Sequence, residues 1–250
     1  MEVIATYSIK GGVGKTAAAV NLAYLAAEQG LPTLLCDLDP QGSASFLLRV
    51  KPKVRGGGKG LVRRKRPVLD AIKATDFANL DLLPADFSFR HLDLALDALK
   101  HPTRRLAQII EPLADDYELV IFDCAPGISL VSEAVFGAAH TLLVPIVPST
   151  LSVRTLDQLN AFLADQPQPK PHVVAFFSLV DKRRRLHREV IESLPADHTV
   201  LDSVIPAASE VERMGVERAP VAAYAPSSRG ARGYAALWAE LQPRLRRTIS

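Results

Sequence analysis

The run Lys10-Gly11-Gly12-Val13-Gly14-Lys15-Thr16 limits what this chain can fold into more than any other part of it. It follows an apolar stretch of strand length at residues 3–7 and opens a helical pattern at 16–29 that stops at Gly30. Glycines at these spacings let the backbone turn tightly between strand and helix and point its N–H groups inward, as phosphate oxygens require. The positive end of the following helix adds to that attraction. Lys15 has the reach to contact β- and γ-phosphates, and the Thr16 hydroxyl suits Mg²⁺. Gly11, Gly12, Val13, Gly14, Lys15, Thr16 and Ala17 are therefore expected to bind a nucleotide, with ATP and Mg²⁺ as cofactors. Lys10, at the start of the loop, has two readings. It reaches a partner subunit's phosphates as an arginine finger does, or it answers phosphate charge in its own subunit.

Two further apolar runs end in carboxylates. Leu34-Leu35-Cys36-Asp37-Leu38-Asp39-Pro40-Gln41-Gly42 closes one, and Leu119-Val120-Ile121-Phe122-Asp123 the other. A single aspartate at a strand end is ordinarily a cap. Two of them ending strands of the sheet that carries the phosphate loop suit a metal and water site. Asp123 fits the acid that holds Mg²⁺ through water, Asp39 the group that orients or deprotonates the attacking water, and Asp37 a support for the loop or the metal shell. Pro40 and Gly42 shape a turn able to respond to a γ-phosphate, and Pro126-Gly127 reads as a second such turn.

Strand-length runs at 3–7, 33–36, 80–83, 119–122, 141–144 and 173–179 alternate with helical patterns at 16–29, 87–99, 104–114, 130–138, 152–165, 186–194 and 231–245. Several of the strands are almost wholly apolar, as strands covered on both faces are. The expected fold is α/β: one doubly wound, mostly parallel sheet flanked by helices, as a single domain over residues 1–250. Ligands of such sheets lie beyond the carboxyl ends of the strands. The two cysteines, Cys36 and Cys124, each adjoin an aspartate in an apolar run and offer neither zinc spacing nor a disulfide framework, which suits a reducing cytosol. No apolar run approaches the ~20 residues of a membrane span.

At this point the chain resembles a known family. Residues 10–16, 37–42, 119–127 and Val144-Pro145 are similar to the ParA/MinD family of deviant Walker A P-loop ATPases, and weaker likeness runs through Pro206 and Pro220 to Pro226. The order of elements is closer to ParA partition ATPases than to MinD. The resemblance implies an ATP-dependent sandwich homodimer with Lys10 of each subunit at the other's nucleotide. It also implies sequence-independent DNA binding, release by a ParB-like or cargo-adaptor protein that stimulates hydrolysis, and a cytoplasmic, nucleoid-associated location. By position, Lys10, Lys15 and Asp39 are catalytic. Thr16, Asp39 and Asp123 serve the metal, and Pro206 and Pro226 lie on the adenine side. The chain departs from the family pattern at Ala207-Ala208, where relatives usually carry Arg-Asn, and at Glu210, where a basic residue is usual.

The formal charge of +3 is unevenly placed. Nine Lys/Arg and no acid fall within residues 49–66, leaving 21 basic against 27 acidic residues elsewhere. The glycines of this segment suggest a mobile loop over residues 50–67; it is not a recognised family feature. A second cluster, Lys182, Arg183, Arg184, Arg185 and Arg188, lacks interleaved aromatics and suits phosphate contact rather than base reading. Arg183 matches a family position used for DNA. Arg244, Arg246 and Arg247 could join the same surface. The alternative is a MinD-like membrane-associated ATPase with a terminal amphipathic helix. Leu237, Trp238, Leu241 and Leu245 have some helical spacing for it, but Pro243 interrupts the pattern and core burial is the stronger expectation. A carboxylate-activating synthetase of related fold is a third possibility.

Overall fold

A computed structural model describes residues 1–166, 170–193 and 198–245. Its centre is one eight-stranded sheet of order β3-β4-β2-β5-β1-β6-β7-β8. The strands are β1 Glu2–Thr6, β2 Thr33–Asp37, β3 Lys73–Ala74, β4 Leu80–Leu83, β5 Leu119–Asp123, β6 Thr141–Ile146, β7 His172–Val180 and β8 Val200–Pro206. All pair in parallel except β3, a two-residue antiparallel edge on β4. The helices are α1 Lys15–Glu28, α2 Ser43–Leu47, α3 Gly57–Val62, α4 Leu92–Asp97, α5 Arg105–Ile110, α6 Leu130–Phe136, α7 Thr150–Ala164, α8 Arg185–Ser193, α9 Ser209–Glu212, α10 Met214–Glu217, α11 Val221–Tyr224 and α12 Arg229–Leu245.

Alternation along the strands sends side chains to two separate cores. On one face Val3, Leu34, Val120, Phe122 and Leu142 pack with α4 to α7. On the other Ile4, Leu35, Ile121, Leu143 and Phe176 pack with α1 and α12. Both faces of the central strands are thus withdrawn from water, which is why they read as continuous apolar runs. Fully burying each such side chain contributes about 1.5–3 kcal/mol.

Several expectations need correction. β8 is a strand that hydrophobic pattern does not announce, because Asp202 and Ser203 break its apolar run. It lies at the sheet edge, where the Glu240 carboxylate of α12 accepts from the Asp202 and Ser203 N–H groups at 2.9 and 3.0 Å. Those bonds stand in for a further strand and cover the edge. The helix expected over 87–99 begins as a 3₁₀ turn at Phe87–His91 before α4, and the one over 104–114 is α5 between two short 3₁₀ turns. The helix expected over 231–245 is present as α12, which runs through Pro243 to Leu245. Leu237, Trp238, Leu241 and Leu245 are buried, and Trp238 Nε1 donates to Gln29 Oε1 at 3.0 Å, so this stripe belongs to the core.

The segment at 50–67 is the largest departure, because it contains α3 in place of an uninterrupted mobile loop. Leu61 and Val62 are buried, and Gly58 lies so near Leu92 that an added Cβ would stand 2.8 Å from its Cδ2. Glycine here permits close packing as well as a turn. Part of the proline-rich connector (167–169), Leu194, Arg246 and Arg247 lie outside the described residues.

Candidate nucleotide and metal site

Three strand ends meet at one edge of the sheet. The register aligns Thr6 of β1 with Asp123 of β5, and Asp123 with Asp37 of β2. The glycine-rich loop leaves β1 directly above them and enters α1 through Gly14, which adopts φ 96° and ψ 21°. Gly12 also takes a positive φ, 71°. A Cβ at Gly14 would stand 2.8 Å from Ser178 Oγ. Ser178 is brought there by an irregularity in β7, where the register shifts between Phe177 and Val180 and Leu179 adopts φ 55°. Nothing in the sequence pattern singles out Ser178, whose role as a wall of the loop comes from this bulge.

Lys15 is buried despite its charge. Its Nζ donates to the Lys10 carbonyl at 3.0 Å, folding the ammonium back across the loop. Burial lowers its pKa, and the neighbouring Asp123, Cys124 and Asp39 oppose that shift. Lys10 is half-buried, with its N–H donating to Ser8 Oγ at 3.3 Å.

The three aspartates have different surroundings. Asp37 is fully buried, and its Oδ2 accepts from both the N–H and the hydroxyl of Ser45, at 2.8 and 2.7 Å. The same hydroxyl accepts from Ala85 N–H at 2.9 Å, so Asp37 ties β2 to α2 and to the end of β4. Of its two expected roles, this geometry favours support of the loop. Burial pushes its pKa up to about 6, against the pull of the Ser45 bonds. Asp39 sits half-buried on the turn that follows. Its Oδ1 accepts from Gln41 N–H at 2.9 Å and its carbonyl from Gly42 N–H at 2.9 Å, which holds the turn Asp39–Gly42 in shape.

Asp123 is fully buried, and among the described residues neither carboxylate oxygen has a hydrogen-bond partner. Burial, then the charge of Asp37, holds its carboxyl well above the usual range, while the Thr16 hydroxyl and Lys15 work the other way. A buried carboxylate left unpaired is costly unless something completes it. A hard divalent cation beside Thr16 would do so. Among the described residues no group of three or more His, Cys, Asp or Glu is placed to hold a metal by itself. That donor set fits Mg²⁺, which retains waters and takes one or two protein oxygens plus phosphate.

The Asp123 side is closed by the turn at Pro126-Gly127. Gly127 takes φ 95°, and its carbonyl accepts from Tyr7 Oη at 3.0 Å, linking the turn to β1. Pro206 ends β8 in register with Val180 of β7, and Pro226 is exposed between α11 and α12. Glu210 accepts from Gly230 N–H at 3.0 Å and so caps the start of α12.

Lys182, Arg183, Arg184, Arg185 and Arg188 follow the end of β7 and are exposed. They are not all free. Arg183 makes two side-chain bonds to Asp181 at 3.0 Å, Arg185 pairs with Glu189 at 2.6 Å, and Arg188 donates to the Lys182 carbonyl. Such exposed pairs are weak enough to exchange for a polyanion.

A glycine-rich loop between the first strand and first helix, with two acid-terminated strands beside it, defines a P-loop nucleotide-binding protein. A family model described as an AAA domain matches residues 1–169. The chain is 30% identical over 240 residues to the sporulation initiation inhibitor protein Soj of Bacillus subtilis, covering 93% of this chain and 95% of that protein. It is 27% identical to the chromosome partitioning protein ParA of Myxococcus xanthus, over 97% of this chain and 88% of the relative. Among solved structures, cobyrinic acid a,c-diamide synthase from Mycobacterium smegmatis with bound ADP and magnesium superposes with a TM-score of 0.84 at 26% identity, covering 98% and 96% of the two chains. The chain belongs to the ParA/MinD family of P-loop ATPases.

Proposed function

We propose that this chain is a Mg²⁺-dependent ATPase that positions cargo or partitions DNA by cycling between a DNA-bound dimer and a released state. The observation that carries the ATPase reading is the orphaned carboxylate of Asp123 beside Thr16 and the glycine-rich loop. The likeness to Soj and ParA supports the partition reading.

In this reading the backbone N–H groups of residues 11–17 and the Lys15 ammonium hold the triphosphate, the lysine exchanging the Lys10 carbonyl for phosphate oxygens. Thr16 and Asp123 would hold Mg²⁺, which would supply charge neutralisation for the phosphates. Asp39 orients and deprotonates a water, whose oxygen bonds to the γ-phosphorus as the bond to the bridging oxygen breaks. ADP and inorganic phosphate leave. The Asp39–Gly42 turn reports the loss of the γ-phosphate to α2. Lys10 reaches the nucleotide of a second subunit, so the dimer forms only with ATP in place. Pro206 and Pro226 flank the base. The Lys182–Arg188 cluster contacts DNA phosphates, and an adaptor protein of ParB type or on another cargo stimulates hydrolysis. The location that follows is the nucleoid.

The test is co-sedimentation with random-sequence duplex DNA in the presence of ATP, ADP or no nucleotide, at two salt concentrations. An increment of binding with ATP that falls steeply with salt is expected. An ATP-driven increment on anionic liposomes instead would replace this reading with a MinD-like one. Rapid turnover dependent on a small carboxylic acid would replace it with a synthetase.

A further inference from the structure

The cations of residues 49–66 are held in place by packing. Val54 N–H donates to Asp86 Oδ2 at 2.9 Å, and Gly58 N–H donates to Ser88 Oγ at 2.8 Å. Leu61, Val62 and Gly58 face inward on Phe89 and Leu92, so the apolar side of α3 is spent on the core. What remains outward is charge. Arg49 pairs with Asp76 at 3.5 Å and Lys53 faces Asp86. The other seven cations of the segment are exposed and form no ion pair among the described residues.

A run of like charges ordinarily repels itself into a solvated, extended chain. Here the fold gathers the run against its own repulsion, on glycines that allow the close fit. Arg55, Lys59, Lys65 and Arg66 line one cavity of about 310 Å³ together with the backbone of Gly56 and Gly60, with Asp70 as its one acid. Lys65 and Arg66 also wall a neighbouring cavity of about 410 Å³, to which Arg64 contributes. The floor of the second hollow is apolar, from Leu61, Val68, Leu69, Ile109 and Leu113, so the charge lies on the rim that the two hollows share at Lys65 and Arg66, where several phosphates of one polyanion could be met together.

We propose that this platform is a second nucleic-acid site, one that grips successive phosphates of a duplex without reading bases. No aromatic side chain interleaves the cations, which leaves phosphate contact as the chemistry available. A membrane surface fits less well, because an interfacial helix must offer an apolar face to the lipid and that of α3 is already covered. The site goes beyond the function proposed above: it lies within one subunit and needs neither ATP nor a dimer. It also touches the nucleotide machinery. A Cβ at Gly42, whose φ is 66°, would stand 3.3 Å from Pro52 Cβ, so the base of the platform rests on the turn that carries Asp39.

The experiment measures affinity for a random-sequence duplex by fluorescence anisotropy across a salt series, with no nucleotide and with ATP. It compares the wild type, the variant Arg55→Gln/Lys59→Gln/Lys65→Gln/Arg66→Gln, and Arg183→Glu/Arg184→Glu/Arg185→Glu. Wild type should bind without nucleotide. The platform variant should bind at least tenfold more weakly in that state, with a salt slope lower by about 3 to 4 as four phosphate contacts are lost. It should retain the ATP-dependent increment, which the Arg183–Arg185 variant should lose. Circular dichroism and ATP turnover of the platform variant should match wild type, since all four side chains are exposed and outside the nucleotide site. No nucleotide-free binding by the wild type, or equal binding by the platform variant, overturns the proposal. So does platform-dependent binding to phosphatidylcholine–phosphatidylserine vesicles without binding to DNA. Loss of the ATP increment in the wild type counts against the partition cycle and leaves the platform standing.

Discussion

Replacing Gly14 by alanine tests whether the phosphate loop has the shape described. Two separate costs are expected. The residue sits at φ 96°, and an L side chain in the left-handed region costs about 1–2 kcal/mol. The new Cβ would also meet Ser178 Oγ at 2.8 Å, while Ser178 Cβ lies at a comfortable 3.9 Å. Ser178 is buried, so it yields only by leaving its rotamer well, at about 0.5–1.5 kcal/mol. The sum is about 1.5–3.5 kcal/mol of stability. Because Gly14 sets the aim of the N–H groups that follow it, Mg²⁺–ATP affinity should fall at least tenfold. Ser178→Ala removes the Oγ and leaves the strained φ. A double-mutant cycle should therefore return about 1 kcal/mol to Gly14→Ala and no more. Urea unfolding gives the stabilities and calorimetric titration the affinities. An additive cycle would refute the contact and with it the placement of the β7 bulge against the loop. A stable Gly14→Ala protein with normal ATP affinity would refute the loop geometry itself.

Three further outcomes are expected. Gly58→Ala should destabilise by about 1–3 kcal/mol, because its Cβ would overpack against Leu92 and Phe89. Gly60→Ala, in the same helix with its nearest neighbour at 3.7 Å, should stabilise by about 0.5–1 kcal/mol; equal, small effects of both in thermal melts would return the segment to a loop. Asp37 carries a raised pKa of about 6, so between pH 4 and 6 the folded protein holds a proton that the unfolded chain has released. Stability should accordingly fall as pH rises through that window, by about 3 kcal/mol for this group, and Asp37→Asn should flatten that part of the profile in urea titrations. Lys15→Ala should abolish ATP binding, whereas Lys10→Ala should keep it and lose dimerisation and turnover. Intact affinity in the first, or unchanged turnover in the second, would show that the two lysines do not divide the work this way.

The central strands and the loop were legible because each leaves a local mark. Apolar runs of strand length, glycines before Lys15-Thr16 and aspartates at strand ends are all readable without knowing what packs where. β8 was not legible, since an edge strand buries only part of its length and tolerates Asp202 and Ser203. The helix in the basic segment was hidden for a different reason. Its glycines look like the marks of flexibility, and only the closeness of Phe89, Leu92 and Ser88 shows that Gly57 and Gly58 serve a tight fit. The helix at 231–245 was legible through Pro243, because its buried stripe of Leu237, Trp238, Leu241 and Leu245 keeps helical spacing across the proline.

The sequence by itself determined the chemistry available: a backbone cradle for phosphates, two lysines, three carboxylates and two groups of surface cations. These follow from residue type and near-neighbour spacing. Tertiary structure decided what each group does. It buried Asp37 against Ser45 and left Asp123 without a hydrogen-bond partner among the described residues, although both end apolar strands in the same register. It set Ser178 against Gly14, and it gathered a like-charged run into two neighbouring hollows. Whether a polar group is satisfied or a charge offset depends on atoms distant in the chain, and only the folded packing brings those within reach.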